Sequence, residues 1–422
     1  MPILRGFDEV RKDPIGPRLS SLRDNGVSDC GRSASGPDLD RQGVGHTIWP
    51  PSSRRPGRVE GAQYRRKSER DGLDETFDLL TIALLPGAGA RTARDLSARG
   101  ALKAALAHPE DHGDLLSAAA RSALRTGAAR SRAQAELEKA RSLGVRVVGR
   151  DETDFPERLR RIYDPPPVLY VRGTVVPGEG DRAVAVVGSR AASPQGLVLA
   201  RVLARDLAQA GLTIVSGLAR GIDTAAHRGA LEGGGRTVAV LGSGLDQLYP
   251  PENADLAAAI ARRGAVVSEF PLGSPPDRKH FPRRNRLIAG WGRAVVVAEA
   301  AEKSGALLTA HAALEEGREV MAVPGHPGHP GAFGTNQLIR DGAVLVRGAR
   351  DVAEELGMEL VVEEEAAVGD DVLRALARDV PRSIEELQAR SGRALPELLS
   401  HLSLLEVGAK VRRLPGPLFV RS

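Results

Sequence analysis

Between residues 183 and 350, short and continuously apolar β-branched runs alternate with stretches of helical period, and few folds accept that alternation. The runs are AVAVV (183–187), TIVS (213–216), TVAVL (237–241), AVVSE (265–269), AVVVAE (294–299), EVMAV (319–323) and AVLV (343–346). A strand with no polar face must be covered on both sides. Strands of this kind separated by helices therefore predict an α/β fold with a doubly wound, mainly parallel, Rossmann-like sheet. Ligands of such sheets sit beyond the carboxyl ends of the strands, which directs attention to the loop after each run.

The rest of the 422-residue chain is arranged around this domain. Residues 1–72 are rich in Arg, Pro, Gly, Ser and Asp and carry no apolar period, so they bury too little surface to offset chain entropy; a disordered basic extension is expected. Residues 73–150 read as a small helical module of the SAM or helix-hairpin-helix kind, broken at Pro86-Gly87-Ala88-Gly89. Such a turn can offer N–H groups to a phosphate or simply reverse the chain, and a plain turn is expected. Residues 151–182, with Pro165, Pro166 and Pro167, read as an extended connecting segment. Residues 351–369 read as an acidic linker around Glu363, Glu364 and Glu365, and 370–422 as three helices and two strands, a winged-helix-like domain. Its third helix, from Leu395 to Glu406, has no Lys or Arg and carries Glu397 and Glu406. A major-groove reader needs donors there, so a protein-contact or regulatory wing is expected.

Composition narrows the function classes. The net charge of +5 suits a polyanionic partner or a generally basic surface. Aromatic residues make up 3% of the chain, which leaves no stacking platform of the OB or RRM kind. The single cysteine, Cys30, rules out a disulfide framework and a cysteine-based zinc site, and no apolar run has the roughly 20 residues of a membrane span. A cytoplasmic protein with no membrane partner is expected.

The strand-end loops hold the chemistry. After the first run comes Gly188-Ser189-Arg190, and Ser193-Pro194 then opens a helix whose free N–H groups favour an anion. One glycine there falls short of the Gly-x-Gly-x-x-Gly fingerprint of dinucleotide binders. Gly217 and Arg220 follow the second run, with Asp223 expected as a helix cap, and Gly244 and Tyr249 follow the third. Beyond the fourth, residues 278–286 read RKHFPRRNR, six of the nine being basic, so this loop is expected to contact phosphate; Lys279, Arg283, Arg284, Asn285 and Arg286 are DNA-binding candidates, with Phe281 as a base stacker. Arg284 and Arg286 diverge in either regular conformation; one is expected to face the ligand and the other to pair with a carboxylate such as Glu269 or Glu299. Ser304, Gly305 and Asn336 complete the candidate set. Asp223, Glu269 and Glu299 read as capping or pairing groups and His326 to His329 as a turn, so no catalytic residue, metal or cofactor is expected.

The segments GSR, SGLARGID, LGSGLDQLYPPEN, SEFP, HFPRRNRLIAG, EAAEKSGALLTA, GREVMAVPG and GTNQLIRDGA resemble, in this order and spacing, the DprA/Smf DNA-processing proteins. That resemblance implies a non-enzymatic protein that binds and protects incoming single-stranded DNA, loads the RecA recombinase during natural transformation, and forms a homodimer through its nucleotide-fold domain. Carried over by motif, it places Arg190, Lys279, Arg283, Arg284 and Arg286 in the DNA pocket, with Arg220 and Asn285 nearby. His311 after LLTA and the stretch HPGHPGAF depart from the family pattern. The rival class is a nucleotide phosphoribohydrolase on a related α/β fold. Its Pro-Gly-Gly-x-Gly-Thr-x-x-Glu signature is missing from Ser304 to Ala312, where Ala312 stands in place of the glutamate.

Overall fold

The computed structural model describes residues 74–358, 370–376, 380–407 and 410–421. The extension expected over 1–72, Cys30 and the acidic run at 363–365 lie outside the described residues.

Nine strands make one sheet: β1 (Arg146–Gly149), β2 (Val168–Gly173), β3 (Ala183–Gly188), β4 (Thr213–Ser216), β5 (Thr237–Val240), β6 (Ala265–Ser268), β7 (Ala294–Glu299), β8 (Glu319–Ala322) and β9 (Val344–Leu345). They lie in the order β1-β2-β6-β5-β4-β3-β7-β8-β9. From β6 across to β9 every pairing is parallel. The seven apolar runs are all strands, and their alternate residues go to opposite layers. On β3, Ala183, Ala185 and Val187 enter one core cluster while Val184 and Val186 enter another. A strand buried on both faces is almost wholly apolar, and the polar residues these runs do hold are hydrogen-bonded: the hydroxyls of Ser216, Thr237 and Ser268 donate to the carbonyls of Val186, Ile214 and Ser243.

Two boundaries differ from the sequence reading. The segment expected to connect domains supplies β2, which pairs antiparallel with β6 and with β1. Its prolines do hold an extended chain, but the free edge of β6 is what turns that chain into a strand. At the other end, the helix Ala349–Glu355 runs five residues into the expected linker, and its Val352 and the following Leu356 pack into the second core cluster.

The helical module comprises a helix over 74–83 and the helices Ala90–Ala98, Leu102–Ala107, Ala118–Arg125 and Ala128–Ser142. It has its own core of Ile82, Leu85, Leu96, Leu106, Leu116 and Leu124. It also shares a third cluster with the sheet, where Leu79, Leu80, Ala133 and Ala140 meet Val168, Tyr170 and Val266. The glycine turn is tied down by Ser117, whose hydroxyl donates to the Pro86 carbonyl at 3.1 Å.

The C-terminal domain has helices Asp371–Ala375, Ile384–Ser391 and Leu395–Val407 with strands β10 (Arg382–Ser383), β11 (Val411–Leu414) and β12 (Leu418–Arg421), ordered β10-β12-β11. Three helices and a small sheet around Leu387, Leu398, Leu402 and Phe419 form the expected winged helix. Among the described residues no helix is long and apolar enough to cross a membrane.

Candidate nucleic-acid interface

The strand order reverses direction at β3: β4, β5 and β6 follow on one side and β7, β8 and β9 on the other. At such a switch point the loops at the carboxyl ends diverge and leave a crevice. Here the crevice is a cavity of about 550 Å³, walled by the loop Gly188 to Ala191, the start of the helix Gly305–Glu315 and the first turns of the helix His280–Trp291. A smaller cleft of about 70 Å³ adjoins it, between Gly217, Arg220, Gly242, Ser243, Tyr249 and Pro250. Arg190, Ala219, Phe281 and Arg284 line both.

Arg190 stands on the partition. It is exposed, its guanidinium carbon lies 4.8 Å from the centre of the Phe281 ring, and it forms no ion pair with a described residue. Phe281 in turn meets Tyr249, with ring centres 6.1 Å apart. Tyr249 is 39% exposed, whereas Phe270 and Trp291 are buried as core residues. A cation held flat on an aromatic face keeps its donors turned outward for an anion.

Arg284 occupies the floor and is 4% exposed. It donates to the Gly217 carbonyl at 2.7 Å and to the Val240 carbonyl, and burial pulls its pKa down to about 10 against the opposing charge of Asp223. Asp223 accepts from the Gly217 and Ala219 N–H groups at 3.1 and 3.3 Å; burial raises its pKa, with Arg284 and those N–H groups acting the other way. It lies inside the first turn of the helix Ile222–Glu232, with Gly221 at the cap position where Asp223 was expected. Two glycines make this packing possible. A methyl group on Gly217 would sit 2.2 Å from Arg284 Nη1, and Gly221, at φ 76°, approaches the Ser189 carbonyl so closely that a Cβ would lie 2.2 Å from its oxygen.

The helix terminus at Ser193 is an anion site already filled from within. Ser193 caps the helix Pro194–Gln209 by accepting from Gly196 N at 3.0 Å. Its own N–H and hydroxyl donate to the Glu299 carboxylate, which occupies the place the sequence reading offered to a ligand.

The remaining candidates divide by position. Gly188, Ser189, Asn285, Ser304 and Gly305 line the larger cavity, with Ser304 capping its helix through Ala306 N at 3.3 Å. Gly217 and Arg220 line the smaller cleft, where Arg220 pairs with Glu252. Arg283 and Arg286 converge on the buried carboxylate of Glu269, so the expected split between Arg284 and Arg286 places Arg286 on the carboxylate side. Lys279 is exposed just before the helix, outside both cavities. Gly244 is tied to the Ser274 carbonyl, also outside them. Asn336 exchanges two hydrogen bonds with the Gly325 backbone and lines a separate cavity of about 700 Å³ with His311 and Phe333. Sequence reasoning did not single out Arg278, Pro282, Ile288 and Thr309, which line the main cavity. Arg278 was visible as part of the basic run; which of its neighbours would face inward depends on where the helix starts.

The model of the family DNA recombination-mediator protein A matches residues 146–357, and that of the DprA winged helix domain matches 361–417. Protein Smf of Escherichia coli is 39% identical over 284 residues, covering 64% of this chain and 76% of that protein. DNA processing protein DprA of Streptococcus pneumoniae is 46% identical over 201 residues, covering 48% and 71%. An X-ray structure of the Streptococcus pneumoniae protein covers 54% of this chain and 81% of its own at 41% identity and a TM-score of 0.48. A structure of DNA processing protein A from Helicobacter pylori, described for its single-stranded DNA binding mode, covers 50% and 95% at 28% identity and a TM-score of 0.46. With its sheet domain matched from β1 through the helix Ala349–Glu355 and its winged helix matched separately, the chain belongs to the DNA recombination-mediator protein A family, the DprA/Smf proteins.

Proposed function

We propose that this chain binds single-stranded DNA across the strand-end crevice, without sequence preference, as a non-enzymatic DNA-processing protein. The observation that carries the reading is Arg190: an exposed cation, free of any acid among the described residues, resting on Phe281 at the switch point of the sheet. Cations and backbone N–H groups bind phosphates of any sequence, and an exposed aromatic edge tolerates any base, which suits a protector of arbitrary strands. Asp223, the carboxylate in the cavity lining, is occupied by backbone N–H groups and faces Arg284, which speaks for binding in place of hydrolysis.

Family membership extends the proposal to protection of incoming strands, loading of the RecA recombinase in natural transformation, and action in the cytoplasm. A homodimer is proposed through the sheet domain, supported by exposed Leu314 and Phe333 on neighbouring helices. The winged helix is proposed as a protein-contact or regulatory module, because its third helix carries no Lys or Arg. Removing residues 370–422 should then leave single-strand affinity within a few-fold.

The test is a mobility-shift titration of single- and double-stranded oligonucleotides at two salt concentrations. Tight binding that prefers single strands and weakens with salt is expected. Hydrolysis of a nucleoside monophosphate by the same preparation would restore the phosphoribohydrolase alternative.

A further inference from the structure

The third core cluster is open at one corner. On β2, Val168 and Tyr170 are buried in that cluster, which the helical module and the helix Ala254–Arg263 share. Side chains two residues apart share a strand face, so Arg172 continues the face that Val168 and Tyr170 bury. Around it the apolar wall lacks a cover: Leu245, Leu248, Ala254, Ala257, Ala258 and Val266 enclose, with Arg172, a cleft of about 180 Å³. The cleft shares no residue with the two strand-end cavities. Arg172 is half-buried, and its guanidinium has no hydrogen-bond, ion-pair or ring partner among the described residues.

Two physical facts constrain the occupant. A dry apolar cavity of about 150 Å³ holds a benzene ring, so this cleft has room for one aromatic or branched aliphatic side chain. A guanidinium on an apolar wall with no acid beside it calls for a carboxylate, which it grips with two parallel hydrogen bonds. Nucleic acid fits neither fact, since a polyanion is held by several cations and this wall has one.

We propose that this cleft docks a peptide segment of a partner protein, which inserts one large apolar side chain against the helix Ala254–Arg263 and sets a single neighbouring carboxylate on Arg172. The last residue of a chain offers both groups at once, a side chain and a free carboxylate, so a peptide ending in phenylalanine is the simplest probe.

The test titrates a fluorescein-labelled peptide of otherwise uncharged residues, with a C-terminal phenylalanine and free carboxylate, against the full chain by fluorescence anisotropy. Saturable binding is expected, weakened about tenfold or more when that phenylalanine is replaced by alanine. Arg172→Glu and Ala258→Trp, the latter filling the cleft, should each weaken it by a similar factor. Arg172→Gln should weaken it in the same direction. Arg172 is partly exposed and Ala258 is exposed, so melting temperature and single-strand binding should stay unchanged in all three. Absence of saturable binding to the normally folded chain overturns the proposal, as does undiminished binding by both Arg172→Glu and Ala258→Trp. A change of oligomeric state on sedimentation of Ala258→Trp overturns it in favour of a second copy as the occupant.

Discussion

The two ends of the basic segment 278–286 share a composition and behave as opposites. At its start Arg278 and Lys279 are exposed and form no ion pair with a described residue, and Arg278 borders the crevice. From His280 onward the same segment is helix; there Arg284 is held by two backbone carbonyls and faces Asp223, Arg286 is held by the buried carboxylate of Glu269, and Arg283, itself exposed, shares that carboxylate. Positive charge along a sequence is thus not the same as charge available to a ligand. A guanidinium whose donors are committed inside the fold supports the groove, and one left on the surface can meet a phosphate.

The largest effect that tests this contrast is on stability. Arg284→Ala removes the cation facing buried Asp223 and leaves the Gly217 and Val240 carbonyls without their donor, so denaturant unfolding should show a loss of roughly 3–5 kcal/mol. If that variant melts normally and only binds DNA less well, the division between supporting and binding cations is wrong.

His227 extends the contrast to pH, because it lies fully buried, within reach of the Arg284 charge, with Nδ1 2.7 Å from Thr237 Oγ1. Burial, with Arg284 adding to it, depresses its pKa to about 3. In the unfolded chain its value is near 6.5, so the unfolded state takes up a proton first as pH falls. Stability should therefore be unaffected by this group above about pH 6.5 and decline below it toward pH 3, by at most about 1.4 kcal/mol per unit. Thermal melts between pH 8 and 5 should show a shallower decline in His227→Gln than in the unchanged chain.

For the exposed partner the expectation reverses. Arg190→Ala should leave melting unchanged, weaken binding to single strands of every sequence alike, and flatten the plot of log affinity against log salt by about 0.7, the share of one phosphate contact on a single strand. Titrations at several salt concentrations measure it, and an unchanged slope would remove Arg190 from the groove.

The smallest effect concerns Arg220, whose exposed pair with Glu252 is intermediate between the two classes. Exposed pairs are worth about 0–1 kcal/mol. Glu252→Gln should free the guanidinium and strengthen DNA binding by no more than a few-fold, with a slightly steeper salt dependence. Weaker binding would mean that the pair itself shapes the cleft.

Much of this architecture was legible in the chain. Each of the seven apolar runs became a strand within about two residues of its expected ends, because burial on both faces leaves a local mark that neighbouring residues share. The winged helix was legible for the same reason, from helical spacing and a turn at Pro415-Gly416. The strand β2 was legible as extended chain but not as sheet, since its partner β6 lies nearly a hundred residues further on.

What the sequence determined by itself was the parallel sheet and, through it, the end of the sheet that carries the crevice, together with the loops that reach that end. Which arginines remain free there was decided by tertiary structure alone. Arg284 finds Gly217 and Val240, Arg286 finds Glu269, and the helix terminus at Ser193 finds Glu299 over a hundred residues away. Periodicity is a property of neighbours along the chain. The pairing of a buried charge is a property of whatever the fold brings within hydrogen-bond reach, and no local pattern carries it.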